Sequence, residues 1–384
     1  MYPIEFPNYS LEDFFDEMIA SKQGTAYNFL KGRLTLIKNQ LIEKENEYVE
    51  LTSSKSDSGL YDIEENTKIL ISDKESIGNI MKLSKNISQE ELINLLNEKK
   101  LSSIFQETKL DEMSLVEIKS TLNNTSIKEA LNLITDSNLK NILSYIDSEA
   151  MKKVYEKYLV NTKESQNIGR KVYEHVMLLS ENNLCPYCLQ GTVSTVDHYL
   201  PKAYFIEYAI TPINLLPCCF DCNKNKKDTR LLQEDKMFIN PYFDNLKDTR
   251  WLGCKVNEHW PITFTYYVRE DIEDDILKER LKTHFRNLKL GSLYASNAVT
   301  YFRGRIKEIV NEYNSNDLKP PIESLRSSKE SIEDYNLNSW EAKIYEALLN
   351  SNWFLEIAIE ELQEKYKVTR EYKVKNELYE RWHG

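Results

Sequence analysis

Apolar residues recur at three- and four-residue steps along most of the chain, the spacing of one face of an α-helix. The clearest stripe runs from Gly24 to about Leu51, where Phe29, Leu30, Leu34, Ile37, Leu41 and Tyr48 predict a long helix with a charged outer face. Before it, Ser10 stands where it would cap a short helix opening Leu11-Glu12-Asp13-Phe14-Phe15. Ser53 to Glu65 reads as a loop. From Lys68 to Thr125 the pattern is helical in short pieces, and Ser88-Gln89-Glu90-Glu91 has the form of a capping box before Leu92, Leu95 and Leu96. Ser126 to Ser180 predicts two or three helices; the last carries Val172, Tyr173, Val176 and Leu179, with His175 read as a structural histidine. Alternation replaces the helical period in few places. Thr192 to Val196 and Asn214 to Pro217 read as short strands, with a loop from Tyr199 to Pro212 between them and a helix starting near Asp221 to Asn223. Ile262 to Val268 is a stronger strand, with a partner expected near Trp251 to Val256. Helices are expected at about 272–284, 291–313 and 340–365, and Pro320-Pro321 is expected to break the run between the last two.

Composition agrees with a mainly α, helix-rich protein. Ten glycines and ten prolines in 384 residues leave little room for long linkers. The start of the chain has no basic segment followed by an apolar one, and no apolar run approaches the length of a membrane span. A cytoplasmic chain without a membrane partner is the expectation. The length suits three regions: a helical one over 1–165, a central module over 166–245, and a mainly helical one over 246–384 with a short strand near 262–268.

The chemistry concentrates in the central stretch. Cys185-Pro186-Tyr187-Cys188 and Cys219-Phe220-Asp221-Cys222 are two Cys-x-x-Cys knuckles, and each sets two thiols on one side of a tight turn. Together they offer the four sulfurs that structural Zn²⁺ takes up as a tetrahedron. Cys218 leaves a second possible bite with Cys222, although the C-x-x-C spacing favours Cys219. Cys-Pro-Tyr-Cys alone also has the form of a thiol redox tetrapeptide. Between the knuckles lie Asp197-His198 and Asn214-Leu215, and Asn223 directly follows the last cysteine, with Asn225 as a competing carboxamide. A carboxylate is a hard ligand for Mg²⁺ or Mn²⁺, and an imidazole with a pKa near neutrality is a general base.

This order, C-x-x-C, then Asp-His, then Asn-Leu, then C-x-x-C-Asn-x-x-Lys, resembles the HNH endonucleases, the zinc-knuckle branch of the ββα-metal nucleases. The resemblance covers about 45 residues. It implies an embedded ββα-metal module stabilised by a four-cysteine zinc knuckle. Cys185, Cys188, Cys219 and Cys222 would hold Zn²⁺. His198 would be the base, Asp197 and Asn223 would hold catalytic Mg²⁺ or Mn²⁺, and Asn214 would buttress His198. The implied activity is endonucleolytic phosphodiester hydrolysis, with DNA favoured and RNA open. The longer string Asp197-His198-Tyr199-Leu200-Pro201-Lys202, with Asn240-Pro241-Tyr242-Phe243-Asp244 downstream, is similar to stand-alone bacterial HNH proteins found in phage-defence systems. A defence role beside an ATPase or sensor partner, or in a homo-oligomer, follows from that narrower likeness. A non-catalytic zinc-knuckle binder of nucleic acid or protein is the alternative.

Charge modifies this picture. The net charge of −11 opposes binding of a polyanion. Cations gather locally at Lys224, Lys226, Lys227 and Arg230, and Lys202 follows Asp197-His198 closely. These five are the candidate phosphate contacts. Weak nucleic-acid binding through a small basic mouth is the expectation.

Overall fold

The computed structural model describes residues 3–21, 25–53, 59–81, 88–105, 109–162, 167–228 and 233–366. Its contacts gather into two compact units. One comprises Ile4–Pro186 and Gln190–Arg230; the other comprises Leu231–Gly384 with Met1–Pro3 and Tyr187–Leu189. Helix dominates the described residues, and the strands form three two-stranded sheets. None of the described helices is long and apolar enough to cross a membrane.

The first unit opens with α1 (Leu11–Ala20). Ser10 and Asp13 close a reciprocal capping box at its start, and its inner face buries Leu11, Phe14, Phe15, Met18 and Ile19. Next comes α2 (Thr25–Ser53), whose stripe of Leu34, Ile37, Leu41 and Tyr48 is fully buried. Gly32 lets α2 approach its neighbour closely, because a Cβ there would lie 1.8 Å from the Ile80 carbonyl oxygen. After β1 (Lys68–Leu70) come α3 (Ile77–Met81), α4 (Gln89–Glu98), α5 (Leu115–Asn124), α6 (Ile127–Leu133) and α7 (Ser137–Ser144). Capping boxes also start α4, α5 and α6, at Ser88, Ser114 and Ser126. Then β2 (Tyr145–Asp147) pairs antiparallel with β1, with Ile69 opposite Ile146. The sequence pattern showed neither strand. Three residues hold too few alternations to register, and the partners lie far apart along the chain.

Helix α8 (Ser148–Tyr155) continues as a π-helical turn over Glu156–Val160, and α9 (Ile168–Leu178) follows. His175 on α9 accepts a hydrogen bond from the Asn8 N–H at 3.1 Å and packs edge-on against Tyr9, a structural role. The unit ends with β3 (Thr195–His198), β4 (Leu215–Cys218) and α10 (Phe220–Lys226). The core runs through all of it: Val196, Ile206, Ala209, Ile210 and Leu215 join the helical residues in one apolar cluster. A lone two-stranded hairpin is marginal in water. Each buried aliphatic side chain contributes about 1.5–3 kcal/mol, so the β3–β4 pair depends on the helices for its stability. The stretch beginning at 166 therefore shares a core with the preceding helices, and the boundary between the units falls after Arg230.

In the second unit β5 (Leu252–Asn257) and β6 (Thr263–Val268) form an antiparallel hairpin, with Leu252 opposite Val268 and Asn257 opposite Thr263. Phe264, Tyr266 and Val268 alternate inward. Helices α11 (Asp275–Asn287), α12 (Leu290–Ser315), α13 (Ile322–Glu333) and α14 (Trp340–Leu349) follow. The Pro320-Pro321 pair does break the run, but it also starts α13, which the sequence pattern did not show. Pro321 stands immediately before the first helical residue, where a missing N–H costs nothing. Buried Arg280 on α11 pairs with Asp244 at 2.5 Å and donates to the Phe238 carbonyl. His284 Nε2 lies 3.1 Å from the Tyr187 carbonyl, and the Tyr294 hydroxyl donates to the Cys188 carbonyl at 3.0 Å. The turn of the first knuckle is thereby held by side chains of α11 and α12. His383 lies outside the described residues.

Candidate active site

The first knuckle sits in a tight hairpin. Leu184 and Thr192 form a bridge, the Cys185 N–H donates to the Gly191 carbonyl at 2.8 Å, and Leu189 takes a left-handed φ of 54° to turn the chain back. The second knuckle is the start of α10. Cys219 caps it, its sulfur accepting from the Cys222 N–H at 3.4 Å. Cys185, Cys188, Cys219 and Cys222 are all buried, and their sulfurs lie within 4.8 Å of one another. A tetrahedral Zn–S₄ centre needs sulfur separations of about 3.8 Å, so a small contraction onto an ion completes the shell. Four buried thiols this close together could hold a metal ion such as zinc. Cys218 is excluded from the quartet: its thiol donates to the Cys219 carbonyl at 3.3 Å. Cys254 lies apart on β5, and burial pushes its thiol up to about 12.

Antiparallel β3 and β4 place Asp197 opposite Leu216 and His198 opposite Leu215. Both polar residues lie within β3, further along than the Thr192–Val196 strand expected from sequence. The Phe220 N–H donates to Ser194 Oγ, and the Asn223 amide nitrogen lies 3.4 Å from Thr195 Oγ1, which ties α10 to the start of β3. The result is one cleft of about 330 Å³ lined by Val196, Asp197, His198, Pro201, Lys202, Asn223, Lys224, Lys227 and Asp228. The acid, the imidazole and the second carboxamide named from sequence thus wall a single space.

His198 is buried, and its Nε2 lies 2.9 Å from the Ala209 carbonyl. A carbonyl can only accept, so Nε2 carries the proton and Nδ1 is the basic nitrogen. Burial, then the nearby charge of Lys202, and lastly that of Lys226 hold the imidazole well below its ordinary value; the Ala209 hydrogen bond opposes them. The ring is therefore neutral at physiological pH. Tyr155, at the end of α8, packs edge-on against it with centroids 4.5 Å apart, and the Lys202 ammonium lies 4.5 Å from the centre of the Tyr155 ring. Burial lowers the Lys202 pKa, partly offset by Asp228, Glu156 and Asp197.

Comparison with curated proteins finds one similarity. The chain is 28% identical over 223 residues to protein ea31 of Escherichia phage lambda, covering 53% of this chain and 73% of that protein. No family model and no solved structure matches the chain.

Lys226 occupies a place other than the one the sequence implied, and Asn214 shows how its place is used. Lys226, counted above among the phosphate contacts, is 1% exposed. Its ammonium pairs with Asp197 Oδ2 at 3.0 Å and donates to the carbonyls of His198 at 2.7 Å and Tyr199 at 3.1 Å. It braces the strand end and does not reach for phosphate, because its position on the short α10 turns the side chain inward onto β3. Asn214, expected to buttress His198, bonds the loop that carries Ala209. Its carboxamide accepts from the Leu200 N–H at 2.8 Å and donates to the carbonyls of Leu200 at 3.0 Å and Tyr208 at 3.1 Å. It thereby pins both ends of the segment that presents the Ala209 carbonyl to His198. Arg230 lies outside the described residues. Lys224 and Lys227 are exposed.

Several supports of this site were not singled out from sequence. Tyr48 of α2 donates to Asn214 Oδ1 at 3.4 Å and packs against Tyr208. Asn66 is tied to the same loop by backbone bonds to Tyr204 and Ile206 and by its amide on Glu207. Tyr48 and Tyr155 fall on helical apolar stripes, so their patterns report burial and say nothing of what they touch.

The donor set of the cleft suits a hard divalent cation. Asp197 supplies a carboxylate and Asn223 an amide oxygen. Two oxygen ligands leave most of an octahedral shell to water and phosphate, which is how Mg²⁺ is usually held. A carboxylate has two oxygens and can bridge the Lys226 ammonium and a cation.

Proposed function

We propose that this cleft hydrolyses phosphodiester bonds in nucleic acid with a bound Mg²⁺ or Mn²⁺, in a ββα module of the HNH type. The reading rests above all on the convergence of Asp197, His198 and Asn223 on one cleft rimmed by Lys202, Lys224 and Lys227. A divalent ion held by Asp197 and Asn223 would stabilise charge on the phosphate and on the leaving oxygen. His198 Nδ1 takes the proton of the attacking water; the new O–P bond forms as the bond to the leaving oxygen breaks, and that oxygen departs with the bonding pair and takes a proton from solvent water. The Ala209 carbonyl, accepting from Nε2–H, keeps the ring in the right tautomer and stabilises it as it becomes positive. Asn214 fixes the loop that carries Ala209, and Lys226 keeps Asp197 in place. Cys185, Cys188, Cys219 and Cys222 would hold a structural Zn²⁺, which would tie the start of α10, and with it Asn223, to the first knuckle.

DNA is the favoured substrate and RNA the second, both through the sequence resemblance. A role in anti-phage defence, with a second copy of the chain or an ATPase or sensor partner completing the groove, rests on the same source.

Plasmid, single-stranded DNA and RNA cleavage, assayed with Mg²⁺, with Mn²⁺ and with chelator, tests the reading. His198→Ala is expected to slow hydrolysis by about 10²–10⁴ while metal analysis and melting temperature stay at the parent's values. If the parent protein, with zinc bound, cuts none of these in any divalent ion, the cleft belongs to a non-catalytic zinc-knuckle binder instead.

A further inference from the structure

The cleft described above accounts for an acid, a base, a carboxamide and three cations, but not for the residue one turn before Asn223. Phe220 is 66% exposed, although it opens a helix whose neighbouring positions are tightly used. Its backbone is fixed, since its N–H donates to Ser194 Oγ at 3.1 Å and Cys219 and Cys222 lie on either side. Phe220, Asn223 and Lys224 stand at i, i+3 and i+4 of α10, one face of the helix. Two of them wall the cleft, and the Lys224 ammonium lies 6.0 Å from the Phe220 ring centroid. The exposed ring is thus on the same helix face as two residues that wall the cleft, one turn before them in α10.

An exposed aromatic ring on a fixed backbone, with a lysine nearby, is an arrangement that can bind an unpaired nucleotide. The ring takes the face of a base and the cations take its phosphates. Duplex DNA presents no base face to such a ring. The charge of the chain points the same way. With a net charge of −11 and Lys202, Lys224 and Lys227 as the cleft's lysines, phosphate contacts alone give little affinity. A cleft of about 330 Å³ also suits a single nucleotide better than the two strands of a helix.

Resting on the proposed hydrolytic function, we infer that Phe220 is a base-stacking platform and that the strand presented to this cleft is unpaired at the nucleotide next to the scissile phosphate. The site selects single-stranded, gapped or locally opened nucleic acid over intact duplex.

Binding measured without divalent ions separates this inference from the hydrolytic reading. The full chain is titrated with a single-stranded DNA oligonucleotide, the matching RNA oligonucleotide and the DNA duplex at one salt concentration. The parent should prefer the unpaired oligonucleotides. Phe220→Ala should weaken them by roughly 5- to 150-fold, with duplex affinity and zinc content unchanged; Phe220→Tyr should retain affinity. In Phe220→Trp the indole fluorescence should be quenched by the unpaired strands and not by duplex. The DNA and RNA arms report which sugar the platform accepts. Equal affinities of parent and Phe220→Ala for unpaired strands, or an unquenched Phe220→Trp indole, would overturn the inference. Quenching with no hydrolysis by the parent would instead remove the catalytic reading and leave the platform standing.

Discussion

Lys226 shows how far a residue's role departs from its type. Read along the chain it is one of a run of surface cations, yet its ammonium is buried against Asp197 and two carbonyls. Buried ion pairs add little net stability over apolar packing, but removing one partner strands the other charge, at about 3–5 kcal/mol. Lys226→Met should therefore lower the stability of the fold by about that amount. It should leave the salt dependence of nucleic-acid binding as in the parent. Lys224→Met should do the reverse, leaving the melting temperature near the parent's and reducing the salt slope by roughly 0.7–0.9. Denaturant melts and salt titrations of the two variants, side by side, check the assignment. The other site residues divide along the same line. Asp197, His198 and Asn223 were legible because their chemistry is written in their side chains and their spacing to the cysteines. Tyr155, Tyr48 and the Ala209 carbonyl were not, because a tyrosine on an apolar stripe or a backbone oxygen in a loop has no local signature of the group it will touch.

The decisive element is the second knuckle with the helix it opens. Cys219 rather than Cys218 joins the quartet because it is the residue that caps α10 and points its sulfur at the Cys222 N–H. Cys218 ends β4, where its side chain is buried and its thiol donates to the Cys219 carbonyl. Metal analysis of the purified chain should find one zinc. Cys219→Ser should lose it and melt earlier, since the binding energy of a structural zinc is also folding energy. Cys218→Ser should keep its zinc; a variant that loses it would move the bite back to Cys218. At this scale local pattern served helices well and short strands badly. Capping boxes at Ser10 and Ser88 mark true helix starts, because the cap is satisfied within four residues. The β1–β2 pair and α13 escaped. The first has no partner nearby in sequence, and the second starts directly after a proline pair that reads from sequence only as a break.

For the whole molecule, the balance of charge sets how it meets a polyanion. With Lys226 buried, Lys202, Lys224 and Lys227 remain among the described residues as the cleft lysines available to a phosphate under the proposed function. Three contacts give a slope of log affinity against log salt of about −2 to −3. Titration of the isolated protein should show that slope, with weak affinity. Tight binding with a slope near about −8 would require an extended basic surface outside the cleft. The sequence alone determined that the fold is mainly α, that four cysteines fall in two knuckles, and the order of aspartate, histidine and asparagine between and after them. Each of these depends on residue type and near spacing, which the chain carries wherever it folds. The tertiary structure decided that β3 and β4 share an apolar cluster with the preceding helices, that one lysine braces while Lys224 and Lys227 are exposed, and that Phe220 is left exposed on the face of α10 that carries Asn223 and Lys224. Those depend on which distant segments supply the missing apolar surface and hydrogen-bond partners, and no local pattern encodes that choice.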